Sequence, residues 1–166
     1  MECGLELHPN KTKIVYCKDD LRKGSWPAVS FDFLGYTFRP RSSRTKQGRL
    51  FVNFSPAISQ KSKSRIYEKI RKWQLHRRTD LSLDDLAEWI NPTLRGWINY
   101  YGKFYKRALY HVFVNLNRIL FNWAIRKFKR LKGSLNKAIV WFSRIAARNQ
   151  RLLAHWALLR VMPTER

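Results

Sequence analysis

The sequence predicts a mainly α protein, a bundle of helices preceded by a short antiparallel β-region. Three observations point there. Residues 58–162 carry apolar side chains at helical spacing in one segment after another. Residues 1–57 hold most of the turn signals and three short β-like runs. Hydrophobic residues make up 45% of the chain, with 7 Trp, 7 Tyr and 10 Phe, which is too apolar and aromatic for a basic disordered tail. The expected division is residues 1–57 and residues 58–166.

In the first region the β-like runs are Ile14 to Cys17, Ser30 to Phe38 and Leu50 to Phe54. The second alternates Phe31, Phe33 and, past Gly35, Tyr36 and Phe38, so it reads as a strand in which the glycine marks a bulge or a close backbone approach. The polar segment RPRSSRTKQGR then makes a long hairpin loop before the third run. Two or three short strands do not make a sound domain alone. This region reads as a piece of a larger sheet, or as one that leans on the helices.

The first helix is expected from about Lys61 to Arg78, with Ile66, Ile70 and Trp73 inward and Lys61, Arg65, Lys69, Lys72 and His76 on another face. Ser82 with Asp85 resembles a capping box and starts a short helix, Leu83 to Ile90. Asn91-Pro92 reads as an N-cap and first-turn proline restarting it, with Leu94, Trp97, Ile98 and Tyr101 apolar. A long helix from about Arg107 to Leu131 carries the polar stripe His111, Asn115, Arg118, Asn122, Arg126 and Lys129. The last helix, Leu135 to Arg148, turns Ala138, Ile139, Phe142 and Ile145 inward and keeps Lys137, Arg144, Arg148 and Arg151 to one side. The tail, Leu152 to Val161, is expected to dock back.

Charge sets the functional class. There are 34 Lys plus Arg against 11 Asp plus Glu, a formal net charge of +23 in 166 residues. No acidic residue occurs between Trp89 and Glu165, nor between Phe33 and Tyr67. Ordinary solvated surfaces interleave both signs. Long acid-free runs in a foldable chain point to a one-signed face, and a dense polyanion offsets its self-repulsion. Each helix alone is adequately read as a solvated surface; the repetition over four helices favours nucleic acid. Trp73, Trp97, Trp123 and Trp141 sit at core spacing, whereas Tyr100 and Tyr105, flanked by polar and basic residues, are the better base-stacking candidates.

Other classes find little support. No run of about 18 uncharged apolar residues exists to span a membrane. Met1-Glu2-Cys3-Gly4 lacks signal-peptide character, so a nucleus, an organelle or a bacterial cytoplasm is expected. Cys3 and Cys17 stand apart from each other and from any histidine at ligand spacing, which argues against zinc. They permit one disulfide, but a reducing compartment favours free thiols. GxGxxG, P-loop, HExxH and GxSxG motifs are absent. Asp19, Asp20, Asp32, Asp80, Asp84 and Asp85 could bind magnesium, yet none has the firm paired setting that two-metal nucleotidyl transfer requires. No catalytic or metal-binding residue is assigned.

Four segments carry a resemblance. GWINYY (Gly96 to Tyr101), preceded by NPTLR (Asn91 to Arg95), resembles the hallmark of the maturase-specific domain of group II intron reverse transcriptases. GLELHPNKTKIVYC (Gly4 to Cys17) resembles the palm segment that follows the catalytic aspartates in those enzymes, and FDFLGYTF (Phe31 to Phe38) the primer-grip hairpin. RNQRLLAHW (Arg148 to Trp156) is similar to the C-terminus of bacterial members lacking an endonuclease.

The resemblance implies a helical thumb and maturase bundle behind the last strands of a polymerase palm. It implies a bacterial cytoplasmic protein that binds group II intron RNA, with target DNA or an RNA/DNA hybrid as a further partner, and that aids splicing and mobility. The family's YADD-type motif falls upstream of Gly4, so the chain reads as a truncated C-terminal remnant or an expressed fragment, inactive as a polymerase alone. The alternative is a subunit of a split RNA-directed DNA polymerase whose YADD half lies on another chain. Magnesium is expected only in the complete polymerase. By position, Lys11 matches the palm-segment lysine, Leu34, Gly35 and Tyr36 the primer grip, and Arg95, Trp97, Asn99 and Tyr100 the maturase signature. The expected nucleic-acid contacts are Lys61, Arg65, Lys69, Lys72, Arg95, Asn99, Tyr100, Arg118, Arg126, Lys129, Arg144 and Arg148.

Overall fold

A computed structural model of the chain describes residues 6, 8, 12, 14–19, 21 and 24–159. Cys3, Lys11, Asp20 and Val161 lie outside the described residues. The chain divides into two compact units, Met1–Ser59 and Gln60–Arg166. Among the described residues the first unit is a three-stranded antiparallel sheet and the second is helical.

The sheet runs in sequence order: β1 (Phe31–Phe33), β2 (Tyr36–Arg44) and β3 (Leu50–Ile58). Phe31 to Phe38 is therefore a hairpin, not one strand with a bulge. Leu34 and Gly35 both take positive φ, 47° and 80°, and form its two-residue turn. Phe31 pairs with Phe38, and their rings stack at 4.8 Å. The polar segment expected as a long loop is mostly strand, since β2 and β3 stay in register from Tyr36↔Ile58 to Arg44↔Leu50. Arg41 fastens the ladder by donating from Nε to the Ser55 carbonyl and from Nη2 to that of Thr37. Pro40 lies in the middle strand but past the last β1 pair, where β2 has become an edge and no ladder donor is lost. Ile14 to Cys17 is not a strand; the Tyr16 N–H donates to the Ala28 carbonyl, and the Tyr16 carbonyl accepts from the Lys18 N–H.

In the helical unit α1 spans Gln60–Trp73 and buries Ser62, Ile66, Ile70 and Trp73, one stripe at steps of four and three. It stops earlier than the periodicity predicts because Gln74 turns left-handed, φ 46°, into a 3-10 turn, Leu75–Arg77. The Ser82–Asp85 capping box is formed: the Asp85 N–H donates to Ser82 Oγ (3.1 Å) and the Ser82 N–H to Asp85 Oδ2 (2.8 Å). These bonds hold the Asp85 carboxyl below its usual range.

The helix so capped, α2, runs unbroken from Leu83 to Tyr105 with Pro92 inside it. Asn91 is not an N-cap. Its side chain is buried and bonds outward, Nδ2 to the Leu152 carbonyl (2.8 Å) and Oδ1 from the Ala154 N–H (2.9 Å).

A 3-10 turn, Lys106–Leu109, leads into α3, Tyr110–Lys127. This helix is the hub, touching α1, all three 3-10 turns and the two helices that follow. Its fully buried stripe is Val112, Phe113, Leu116, Leu120 and Trp123. Near its end Trp123 Nε1 donates to the Arg78 carbonyl (2.8 Å) and Lys127 Nζ to that of Thr79 (2.7 Å). Extended backbone at Phe128 ends α3 before a last 3-10 turn, Lys129–Leu131.

Helix α4 covers Leu135–Arg148 as expected, capped by Ser134 Oγ accepting from the Lys137 N–H. The segment after it does dock: Leu153, His155 and Trp156 are buried, and α5 (Trp156–Leu159) closes the described chain. No helix among the described residues is long and apolar enough to cross a membrane.

Candidate nucleic-acid interface

Helix α1 sets the first row of cations. Because Ile66, Ile70 and Trp73 must face inward, Lys61, Arg65, Lys69 and Lys72, at steps of four, four and three, share one exposed face. On α2, Arg95, Asn99 and Tyr100 are exposed. Leu94 of the same signature is fully buried, and Trp97 stacks on Trp73 at 5.6 Å, so Trp97 joins α2 to α1 rather than facing a ligand. On α3, Arg118 and Arg126 are exposed, but the expected stripe breaks after Lys127. Lys129 sits in the following 3-10 turn, outside the helical register. Arg144 and Arg148 are exposed one turn apart on α4. In the β-unit, Leu34 and Gly35 are the hairpin turn and Tyr36 is the buried first residue of β2.

Two cavities gather some of these residues. The larger, about 710 Å³, lies among α1, the 3-10 turn Leu75–Arg77 and α3. Ile70, Leu75 and Ile119 give it apolar lining, and Ser64, Tyr67, Glu68, Arg71, His76, Asn115 and Arg118 polar lining. Of the expected contacts only Arg118 lines it. The smaller, about 400 Å³, lies at α4 and the turn before it, with Arg130, Lys137, Arg144, Asn136 and Trp141 in its lining. Arg144 is the expected contact there. Cation spacing along one helix identified faces; it does not reveal a hollow that opens only where two helices meet.

The exposed aromatics concentrate where α2 passes into α3. Tyr100, Phe104, Tyr105 and Tyr110 are each at least a third exposed, with Lys103, Lys106 and Arg107 interleaved. Phe104 and Tyr110 join the two tyrosines expected from sequence. Trp89 is also exposed, with the Arg78 guanidinium 5.4 Å from its ring centre. Arg78 also binds Asp80 at 3.3 Å, which lowers that carboxyl's pKa.

Residues 63–141 match the family model of the group II intron maturase-specific domain. The matched stretch lies wholly within the helical unit. Neither the curated proteins nor the solved structures give a match to the chain. The matched residues include the whole lining of the larger cavity and the aromatic cluster, whereas the smaller cavity runs past their end to Arg144.

One buried ionisable group stands apart from these surfaces. His155 is sealed against Phe113 and Trp156, and burial pushes its pKa down to about 3. Asn117 Oδ1 contacts both His155 Nε2 (2.8 Å) and Trp156 Nε1 (3.3 Å). An indole N–H only donates, so the shared atom is an acceptor and Nε2 must carry the imidazole proton. Nδ1 is left buried without a partner. This arrangement is structural: a neutral histidine gluing α5 to α3.

Proposed function

We propose that this chain binds structured group II intron RNA through its helical unit and so aids splicing and mobility of the intron. The observation that carries the reading is the acid-free run from Ile90 to Thr164, which overlaps a maturase-specific domain whose cations are exposed on every long helix. Such a surface neutralises phosphates and releases their counterions. The exposed aromatics beside Lys103, Lys106 and Arg107 suit unpaired bases, which stack on flat side chains. Residues 1–57 are read as the end of a palm, with the Leu34-Gly35 turn as its primer-grip-like tip.

The test is affinity for a structured intron RNA across a salt series, with a DNA duplex and an RNA/DNA hybrid measured alongside. Several phosphate contacts predict that log K falls against log salt with a slope of about 0.7–0.9 per contact. A slope near zero removes the proposal. Reversing charge at Arg118 and Arg126 should weaken binding and flatten the slope; unchanged affinity takes that face out of the interface.

A further inference from the structure

The larger cavity holds more than phosphate binding needs. A groove for backbone alone would be lined with cations, yet this one also presents a carboxylate. Glu68 sits on α1 beside Tyr67 and one turn before Arg71, and Arg118 faces the same space from α3. Among the described residues Glu68 closes no ion pair with either arginine. Both arginines and the carboxylate are exposed, whereas Tyr67 and Asn115 are half-buried in the wall. The hollow, about 710 Å³, is open to solvent on one side and has the volume of a small-ligand site.

The occupant follows from donor and acceptor chemistry. A carboxylate offers two coplanar acceptors and no donor. Guanine alone among the four RNA bases presents two adjacent donors, N1–H and the N2 amino group, on its pairing edge. Adenine and cytosine set one amino group beside an acceptor nitrogen, and uracil sets one N–H between two carbonyls. In a duplex that edge is already used, so the base must be unpaired. Unpaired RNA bases are recognised by an aromatic or guanidinium plane against the ring and by bonds to the pairing edge. Arginine forks match the phosphates on either side.

We propose that this cavity takes one unpaired guanosine of a structured RNA. Glu68 accepts from N1–H and the N2 amino group, Tyr67 lies against the base, and Arg71 and Arg118 hold the neighbouring phosphates. The inference rests on the RNA-binding reading above and adds what is read on that RNA.

The experiment uses the full chain and a set of otherwise identical RNA hairpins. Five differ only in a single-nucleotide bulge, G, A, C, U or inosine, and a sixth is fully paired. The guanosine bulge should bind roughly tenfold more tightly than the A, C and U bulges, the discrimination a good two-point base contact supplies. Inosine, which keeps N1–H but lacks the amino group, should fall between. Glu68→Gln exchanges one acceptor oxygen for a donor on an exposed side chain and should bring the guanosine bulge down to the level of the others. Arg118→Gln should weaken all bulged RNAs together and keep their ranking. Equal affinities for every bulge, with a steep salt slope, overturn the guanosine site and leave the RNA reading standing. A guanosine preference that persists in Glu68→Gln overturns the role of the carboxylate. No salt-dependent binding to any hairpin overturns both.

Discussion

Replacing Asn91 by alanine tests how the C-terminal segment is held to α2. Asn91 is only 6% exposed and spans from α2 to the stretch after α4 with two bonds of 2.8 and 2.9 Å. Alanine removes both and strands the Leu152 carbonyl and the Ala154 N–H. An orphaned buried polar group costs about 1–3 kcal/mol. Leu152 and Ala154 are half-buried, so water reaches part of each and the lower end applies. The expected loss is about 2–3 kcal/mol, or a fall in Tm of about 10 °C for a unit of this size. Urea unfolding followed by far-ultraviolet circular dichroism measures it, with Asn99→Ala as the exposed control on the same helix. A change below about 0.5 kcal/mol, the level of ordinary surface substitutions, would refute the reasoning.

Two further perturbations address other parts of the chain. The folded His155 binds its proton only near pH 3, whereas the unfolded side chain does so near 6.5, so its contribution is complete above about pH 6.5 and is lost as pH falls toward 3. Going from pH 7 to pH 5 should cost about 2 kcal/mol, and His155→Gln, which does not titrate, should lose most of that dependence; parallel stability profiles would show that the histidine is not the source. Leu34 holds φ 47° at a turn position that suits Asn or Gly, so Leu34→Asn should stabilise the β-hairpin by about 1 kcal/mol, and unchanged or lower stability in thermal melts would show that the leucine is not strained.

The helical class was legible because it rests on local periodicity. Helix α4 runs between the expected residues, and the Ser82–Asp85 box closes as its spacing suggests. Misreadings came where a local signal had two meanings. Asn91-Pro92 has the composition of a helix start, but Ile90 and Leu94 continue one buried stripe across it, and the asparagine's bonds are spent on residues more than sixty positions away. Phe33 and Tyr36 look like one continuing strand because alternation is blind to two residues at positive φ between them. Likewise, periodicity carried α1 past Gln74 and α3 past Phe128, since neither the left-handed residue nor the extended one changes the pattern of apolar side chains. Exposed cationic faces were legible but cavities were not: Arg118 stands exposed on its helix as expected, while its cavity-mates Glu68 and Arg71 lie about fifty residues earlier.

That separation has a thermodynamic consequence. The walls of the larger cavity come from residues 64–76 and 115–119, so the hollow exists only while α1, the turn after it and α3 are assembled. Any occupant is thermodynamically linked to the folding of the bundle. At one hundred times its dissociation constant it would add about 2.7 kcal/mol to the unit's stability. The coupling works in both directions: an RNA whose shape presents its nucleotide to the cavity is favoured by the folded protein, and the folded protein by that RNA. Protein and RNA would then melt at temperatures set by each other's concentration.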